Sequence, residues 1–316
     1  MRKQNFSVGV LDVNYIRGGG FDPFTKRWFV DPVNGSDGNE GKSISNAKKT
    51  FAAGYAKCTE NKNEALYIVG GASALAQTAI LSLSKDYTHI IGLAAPIATG
   101  GRVRFTNSIT TATTGEFVSD TVGSIYANLH FQYGELSATA GDIVGFGLNG
   151  ERNYFENCHF QGPIDATIGA AAGQTMLKIT GVQDNKFKKC SFGQRTILNT
   201  SSTGSVIWFA GSNVSNNEFE ECEILSYNNN TGASFVKFSN NAMPDSGYTL
   251  FRRCNFLTTV SNNMADAILF LTAGHGSVFL DYCTLMGAGL TKWTTNFAAN
   301  VFVTGPASSA TGGMAV

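Results

Sequence analysis

Short apolar runs alternate with polar turns along most of the chain, and one run recurs at a fixed spacing. Four copies read as Asn-x-Phe-x-x-Cys-x-Phe or a close variant, at residues 153–160, 185–192, 217–224 and 249–256. The phenylalanine and the cysteine each recur every 32 residues. A looser copy ends at residue 285, and a degenerate one spans 126–131. This repeat is the strongest structural signal in the sequence.

A second apolar segment lies between the copies, at residues 143–148, 176–179, 206–209, 235–238 and 268–271. Each period therefore contains at least two short strands. The segments lack a 3.6-residue apolar period, which argues against helical and leucine-rich repeats, and a propeller blade needs more strands. A unit of this size buries its apolar face only by stacking on its neighbours.

We therefore predict an all-β fold, a right-handed parallel β-helix (solenoid) of at least six coils. Equivalent residues should stack about 4.8 Å apart, as in any parallel sheet. Cys158 and Phe160 share one strand face, but Phe155 lies three residues before the cysteine. Since side chains alternate along a strand, the three can all lie inside only if the chain bends near Glu156 and Asn157.

The residues at this bend change charge sign from coil to coil. They are Glu156-Asn157, Lys188-Lys189, Glu220-Glu221 and Arg252-Arg253. Stacked bends would place each basic pair between acidic neighbours. We expect an exposed salt-bridge ladder, worth about 0–1 kcal/mol per pair, that also helps to fix the register of the coils.

The ends of the chain depart from the repeat. Residues 1–29 have no clear period and are expected to form an N-terminal extended arm, followed by a parallel β-helix over residues 30–290. Residues 28–30, 65–69, 79–83 and 89–91 are predicted strands.

A short capping helix is expected near residues 45–58, beginning at Ser45 or Asn46, with Phe51 and Tyr55 on one face. Such a helix would cover open strand edges at the head of the stack. Residues 291–316 are expected to form a C-terminal cap and a loose tail. Four apolar residues there either close the last coil or contact a partner: Trp293, Phe297, Val301 and Phe302.

Composition narrows the function classes. Charged residues make up 15% of the chain, and 23 Lys and Arg balance 23 Asp and Glu. A protein that binds nucleic acid by neutralising phosphates needs a basic excess, so we expect no nucleic-acid partner. With 43% hydrophobic residues the chain is not of the disordered class. It contains no apolar run of about 18 residues, so we expect no membrane partner.

The first strands carry a family resemblance. Residues 30–41, 47–51, 67–70 and 89–92 are similar to the opening of pectin-lyase-like right-handed β-helix proteins of tailed bacteriophages, and the later repeat resembles coils of the same superfamily. The resemblance covers about residues 28–290. It implies a virion protein, commonly a homotrimer, that is assembled in the host cytoplasm and contacts the major capsid protein or other virion proteins.

Three functions follow from this resemblance. The favoured one is a non-enzymatic capsid-decorating or stabilising protein attached through residues 1–29, because separate head-binding and trimerisation domains are not evident. The second is a short tailspike-like protein that binds or depolymerises host surface polysaccharide. The third is a tail or baseplate component.

Candidate metal ligands are few. His130 and His159 occupy equivalent positions in adjacent copies and should stack outside the coil, but no third ligand is apparent, so two exposed histidines are the favoured interpretation. His89 and His275 have no visible partners. Five oxygen-bearing residues of one loop invite a Ca²⁺ interpretation, but their spacing departs from the EF-hand loop, which favours an ordinary turn-rich connection: Asp31, Asn34, Asp37, Asn39 and Glu40.

The six cysteines show no Cys-x-x-Cys spacing, so buried reduced thiols are favoured over disulfides or zinc. The glycines at 18–20, 145 and 147 lack the strand-to-helix context of a phosphate loop.

Catalysis by carboxylates needs convergent acids. Glu220 and Glu221 are explained by the ladder, and few aromatic platforms are expected at outer positions. The other candidate acids, Glu223, Asp165, Asp184 and Asp245, are scattered. We therefore predict no catalytic, metal-binding or cofactor-binding residue, and the non-enzymatic functions are favoured.

Overall fold

The structure is a computed structural model of the 316-residue chain. It describes residues 24–71, 74–94, 103–107, 115–134, 143–171, 173–239, 242–244, 247–260, 264–271, 276–287, 293–295 and 298–305. Most of the predicted arm lies outside these ranges, as do Asp245, His275, Phe297 and the glycines at 18–20. Within the ranges, no helix has the length and apolar character needed to cross a bilayer.

The strands are short, as the repeat predicts. In chain order they are β1 (Arg27–Val30), β2 (Glu64–Val69), β3 (Leu75–Gln77), β4 (Leu81–Leu83), β5 (Thr88–Leu93), β6 (Val103–Asn107), β7 (Phe117–Ser119), β8 (Ile125–Ala127), β9 (Leu129–Tyr133), β10 (Val144–Leu148), β11 (Tyr154–Glu156), β12 (His159–Gln161), β13 (Thr175–Thr180), β14 (Lys186–Lys188), β15 (Ser191–Phe192), β16 (Ser205–Ala210), β17 (Asn217–Glu220), β18 (Glu223–Ser226), β19 (Ser234–Phe238), β20 (Tyr248–Arg252), β21 (Asn255–Thr258), β22 (Ile268–Phe270), β23 (Ser277–Asp281), β24 (Thr284–Met286) and β25 (Val301–Thr304).

The helical elements are α1 (Phe51–Lys57), α2 (Ala166–Gly169) and two 3₁₀ turns, Ile44–Asn46 and Ala298–Asn300.

The strands form three parallel sheets, which confirms the all-β parallel β-helix. Sheet A has ten strands in the order β1-β2-β5-β8-β11-β14-β17-β20-β23-β25. Sheet B has eight, from β3 through β6, β9, β12, β15, β18 and β21 to β24, and sheet C has seven, from β4 through β7, β10, β13, β16 and β19 to β22. Each of the seven strands of sheet C belongs to a turn that also supplies one strand to sheet A and one to sheet B.

Aromatic columns fill the interior, because residues at equivalent positions lie directly above one another. Phe160 stacks on Phe192 with ring centroids 5.0 Å apart and planes 6° from parallel. Phe209 stacks on Phe238 at 4.6 Å and 6° in another column. Edge-on contacts join the columns, such as that of Phe155 with Phe160 at 5.8 Å. The core is thus a set of stacked rings packed edge-to-face.

The predicted bend is confirmed, and its cause is a left-handed residue between sheets A and B. Asn157, Lys189, Glu221 and Arg253 have φ values of 51°, 52°, 55° and 50°. One residue in this conformation turns the chain sharply enough for both flanking apolar side chains to point inward. Asparagine tolerates this region better than lysine, glutamate or arginine, so regular stacking imposes it on the other three.

The first residue of the repeat forms a polar ladder that the sequence analysis did not anticipate. The Asn153 N–H donates to Asn185 Oδ1 at 3.0 Å, and the Asn185 N–H donates to Asn217 Oδ1 at 3.1 Å. All three side chains are buried. The side-chain oxygens of Asn185 and Asn217 therefore each accept a hydrogen bond from a backbone N–H of the preceding turn, at a point where the hydrogen bonds between strands are interrupted.

The capping helix exists, but it begins later than predicted. The cap is Thr50, whose Oγ1 accepts a hydrogen bond from the Ala53 N–H at 3.2 Å, and not Ser45 or Asn46. The segment around Ser45 is a separate 3₁₀ turn. Phe51 packs edge-on against Phe105 with centroids 5.2 Å apart, so α1 covers the end of the core.

At the other end, Trp293 is buried and packs edge-on against Phe256 at 5.1 Å. Val301 is buried, whereas Phe302 is 46% exposed on β25, the last strand of sheet A. The predicted cap residues thus divide between the core and the outer surface.

Candidate functional site

The outer face of sheet A carries charged and aromatic side chains on successive strands. Strand register arranges them in two columns. The first column is Ile125, Tyr154, Lys186, Glu218, Leu250, Phe279 and Phe302. The second column is Ala127, Glu156, Lys188, Glu220, Arg252, Asp281 and Thr304. We refer to these fourteen residues as the sheet A face.

The charge ladder predicted from the bend lies in this face. Glu220 is its centre, at 3.3 Å from Lys186 Nζ and 3.9 Å from Lys188 Nζ. Arg253 Nη2 lies 2.8 Å from Glu220 and 3.0 Å from Glu221. The pairing is as predicted from Lys188 to Arg253, but no ion pair joins Glu156 to it among the described residues. The predicted exposure is wrong, since the side chains of Lys188 and Glu220 expose only 24% and 16% of their surface.

Strand residues also enter this network. Lys186 Nζ lies 3.3 Å from Glu218, and Arg252 Nε lies 3.0 Å from Asp281 Oδ2. Neighbouring strands thus present opposite charges.

A groove of about 460 Å³ opens in the face where the charges give way to apolar side chains. Its lining includes Tyr248, Leu250, Phe279 and Phe302 together with Glu218, Arg252 and Asp281. Phe279 stacks on Phe302 at 5.2 Å, and the exposed fractions of the two side chains are 38% and 46%. The expectation of few outer aromatic platforms is therefore wrong in this part of the molecule.

Asp281 of the groove is held in its charged form. The Thr304 hydroxyl donates to Asp281 Oδ1 at 2.7 Å, and this bond together with the Arg252 guanidinium lowers the pKa of Asp281. The Tyr248 hydroxyl donates to Glu218 at 3.4 Å. Burial opposes ionisation of Glu220, but Lys186 and Lys188 prevail and lower its pKa. The groove therefore pairs its acids with donors and cations.

Glu156 is the exception in the face. Burial raises its pKa, and Lys188 counteracts this shift only in part. Its Oε2 has no hydrogen-bond partner among the described residues. An acid of this kind suits proton transfer, but the adjacent second-column neighbours are Ala127 and Lys188, so no second carboxylate sits directly beside it in that column.

The other acids considered from sequence do not join this site. Glu223 faces outward from sheet B and pairs with Arg195 at 3.1 Å. Asp184 lies 3.9 Å from Arg152 and accepts a hydrogen bond from the Asn216 amide at 3.3 Å. Asp165 precedes α2, where its carbonyl accepts from the Gly169 N–H. The structure therefore keeps these acids apart.

The histidine pair stacks as predicted, with ring centroids 4.6 Å apart and planes 20° from parallel. His130 Nε2 donates to Gln161 Oε1 at 2.6 Å, and His159 Nε2 donates to the Gly193 carbonyl at 2.9 Å. Both are half-buried rather than exposed.

His89, for which the sequence offered no partner, has two. Its Nε2 donates to Asn63 Oδ1 at 2.6 Å, and its Nδ1 accepts from the Ile125 N–H at 3.1 Å. No cluster of three or more metal-ligating side chains occurs in the described part of the chain.

The loop considered for Ca²⁺ uses its carboxylates to hold its own backbone. Asp31 Oδ1 accepts from the Val33 and Asn34 amides at 2.9 and 3.0 Å. Asp37 accepts from the Lys49 and Thr50 amides at 2.9 and 2.8 Å, which ties the loop to the start of α1. Asn39 donates to the Ala47 carbonyl, and Glu40 pairs with Lys42. The turn-rich interpretation accounts for these residues.

The six cysteines are buried free thiols. Five of them form a column in which each thiol donates to a carbonyl of the preceding turn, as Cys222 does to Phe187 at 3.5 Å and Cys254 does to Phe219 at 3.3 Å. Burial raises the pKa of Cys222.

Comparison with known proteins supports the fold and nothing finer. No family model matches the chain, and a comparison with curated proteins finds no match. Among solved structures, the chain is similar to pectate lyase Pel9A, with a TM-score of 0.51 and 14% identity over 89% of this chain and 74% of that one. It is also similar to a rhamnogalacturonan lyase, with a TM-score of 0.50 and 14% identity over 88% and 72%. The chain has a pectin-lyase-like parallel β-helix fold.

Proposed function

We propose that this protein is a non-enzymatic structural component of a bacteriophage virion, which decorates or stabilises the capsid through the segment before the β-helix. The resemblance of its opening strands and repeats to phage β-helix proteins supports the virion location. Its neutral net charge suits close packing against other proteins, because it leaves little self-repulsion.

The observation that carries the non-enzymatic part is the pairing of the two acids that line the groove, Glu218 and Asp281. Glycoside hydrolysis uses one carboxyl with a raised pKa and a second carboxylate across the scissile bond. In the groove, Asp281 has a lowered pKa and an arginine partner, and Glu218 is bonded to Tyr248 and Lys186. Asp281 therefore lacks the raised pKa of a general acid, and Glu218 is engaged by its hydrogen bond and its ion pair.

The second candidate is the tailspike-like function, and the groove itself favours it, because it places acids beside aromatic rings. A protein of this kind would bind host polysaccharide there without the catalytic pair. It differs from the first candidate in requiring that the groove be open in the assembled virion.

Two measurements test the proposal. Imaging of intact particles should locate the chain on the capsid surface; a location on the tail would contradict capsid decoration. Incubation of the purified protein with host capsule or lipopolysaccharide should release no reducing ends. Release that the Asp281→Asn substitution abolishes, while Asp184→Asn leaves it intact, would refute the non-enzymatic assignment.

A further inference from the structure

We propose that the sheet A face binds a second copy of this chain, with the two solenoids antiparallel about a twofold axis that runs parallel to the strands, between β14 and β17. The inference rests on the pattern of the face and not on the virion assignment. An interface of this kind is isologous, so the same patch must be complementary to itself.

The twofold axis fixes which strands meet. It places β14 of one copy opposite β17 of the other, β11 opposite β20, and β8 opposite β23. Because the axis runs along the strands, each column faces the same column of the partner. Register therefore determines every pair across the interface without further assumption.

We call the two residues that one strand contributes to the sheet A face a row. The charged rows are complementary under the twofold operation. Lys186 and Lys188 lie opposite Glu218 and Glu220 of the second copy. In the next row, Glu156 lies opposite Arg252, whose side chain is 40% exposed, but Glu156 itself is buried, so this row contributes packing and not an ion pair. The two central charged rows therefore meet their opposites, whereas a shift by one strand would bring Lys188 onto Lys188 or Glu220 onto Glu220.

The apolar rows are complementary as well. Tyr154 lies opposite Leu250, and Ile125 lies opposite Phe279, so Ile125 and Tyr154 of one copy would enter the groove of the other. Phe279 is one of the few large apolar side chains exposed by more than a third in the described part of the chain. The small side chain of Ala127 lies opposite Asp281, which leaves that carboxylate room to keep its pair with Arg252.

A twofold pair accounts for this pattern better than the alternatives. The homotrimer implied by the family resemblance uses two different patches at each contact, and so requires no self-complementarity. A polysaccharide in the groove would contact the aromatic rows but not the charged ones. The charges of β14 and β17 already pair within one chain, and the twofold operation gives each of them a second partner.

The test is the mass in solution, measured by light scattering after gel filtration. The wild-type chain should have twice its 33.6 kDa mass. Lys186→Glu/Lys188→Glu alone should be monomeric, because two acidic rows then meet, and Glu218→Lys/Glu220→Lys alone should be monomeric, because two basic rows meet. An equimolar mixture of the two should regain the doubled mass, because each row again meets its opposite.

A second variant tests the interface independently, in case the charge-reversed chains do not fold. Phe279→Asp removes an exposed apolar contact and should halve the mass, whereas the matched control Leu271→Asp, 51% exposed and on the sheet C side, should leave it doubled. A wild-type monomer, a trimer, or a dimer that survives Phe279→Asp would overturn the proposal. A wild-type monomer whose apparent mass rises only on addition of host polysaccharide would assign the groove to the saccharide instead.

Discussion

The ring of Phe187 stacks on that of Phe219 in the next turn, with centroids 4.6 Å apart and planes 7° from parallel. The two residues are 32 positions apart in the chain and are aligned by the pairing of β14 with β17. Phe155 continues the column on one side at 4.7 Å, and Phe251 on the other, also at 4.7 Å. The 32-residue recurrence is therefore a vertical column of rings inside the solenoid.

Removing one ring from this column should be costly. Phe187 is fully buried, so Phe187→Ala leaves a cavity between two stacked neighbours and should lower the free energy of unfolding by about 3–5 kcal/mol. Denaturant titration followed by circular dichroism measures this loss. Phe302→Ala is the matched control, since its 46% exposed ring should cost much less. Equal losses would show that the column does not carry the stability.

The asparagine ladder yields a second prediction. Asn185→Ala deprives the buried Asn153 N–H of its acceptor, and an unsatisfied buried donor costs about 1–3 kcal/mol. Asn255→Ala, at an exposed strand position, is the control and should change stability by less than about 0.5 kcal/mol. Amide hydrogen exchange at Asn153 should accelerate in the first variant only. Unchanged exchange at Asn153 would argue against the role of the ladder.

The architecture could be predicted from the sequence because the same phenylalanine and cysteine recur once in each turn and so mark which residues stack on one another. The sequence predicted the bend at Asn157, but not the left-handed backbone there, since Lys189 and Glu221 at the same position are poor indicators of that conformation. It misplaced the start of α1 because the cap depends on Asp37, which accepts from the Thr50 amide across a loop.

The groove escaped sequence analysis for a different reason. Glu218 and Leu250 are 32 residues apart, but Leu250 and Phe279 are 29 apart and Phe279 and Phe302 only 23. Turns of changing length hide which residues share a column. The aromatic rows of the sheet A face therefore become visible only when strand register is known.

Reversing the central charge of the ladder gives a third prediction. Glu220→Lys would add a fourth cation to the three that now surround the carboxylate, Lys186, Lys188 and Arg253. We expect a loss of about 1–2 kcal/mol in unfolding free energy, reduced by added salt because these partly exposed charges are partly screened. Glu40→Lys, whose exposed carboxylate pairs with Lys42, should be nearly neutral. A loss that does not respond to salt would point to packing rather than charge.

Acid should weaken the junction between β5 and β8 through His89. Burial lowers the pKa of His89 to about 4, against 6.5 for an ordinary histidine. The unfolded chain therefore binds the proton first, so stability should fall as the pH drops from about 6.5 to 4, by roughly 3 kcal/mol at most. Protonation of Nδ1 also removes the acceptor of the Ile125 amide.

The contribution of His89 is isolated by comparing how steeply the unfolding free energy falls with pH in the wild type and in a variant without this histidine. His89→Gln should be less stable than the wild type at neutral pH, but its unfolding free energy should change less between pH 6.5 and 4. Melting curves at closely spaced pH values measure both. If the variant loses stability with acid as steeply as the wild type does, other groups must account for the acid sensitivity.

Burial of the thiols predicts their reactivity. A thiolate is the reactive form, and burial in apolar surroundings disfavours it, as shown by the raised pKa of Cys58, about 12, and of Cys222. A thiol reagent such as dithionitrobenzoate should therefore label none of the six cysteines in the native protein and all six after denaturation without reductant. Fewer than six labels in denaturant would reveal disulfides within the column. Fast labelling of the native protein, abolished by Cys58→Ala, would instead show that α1 opens readily.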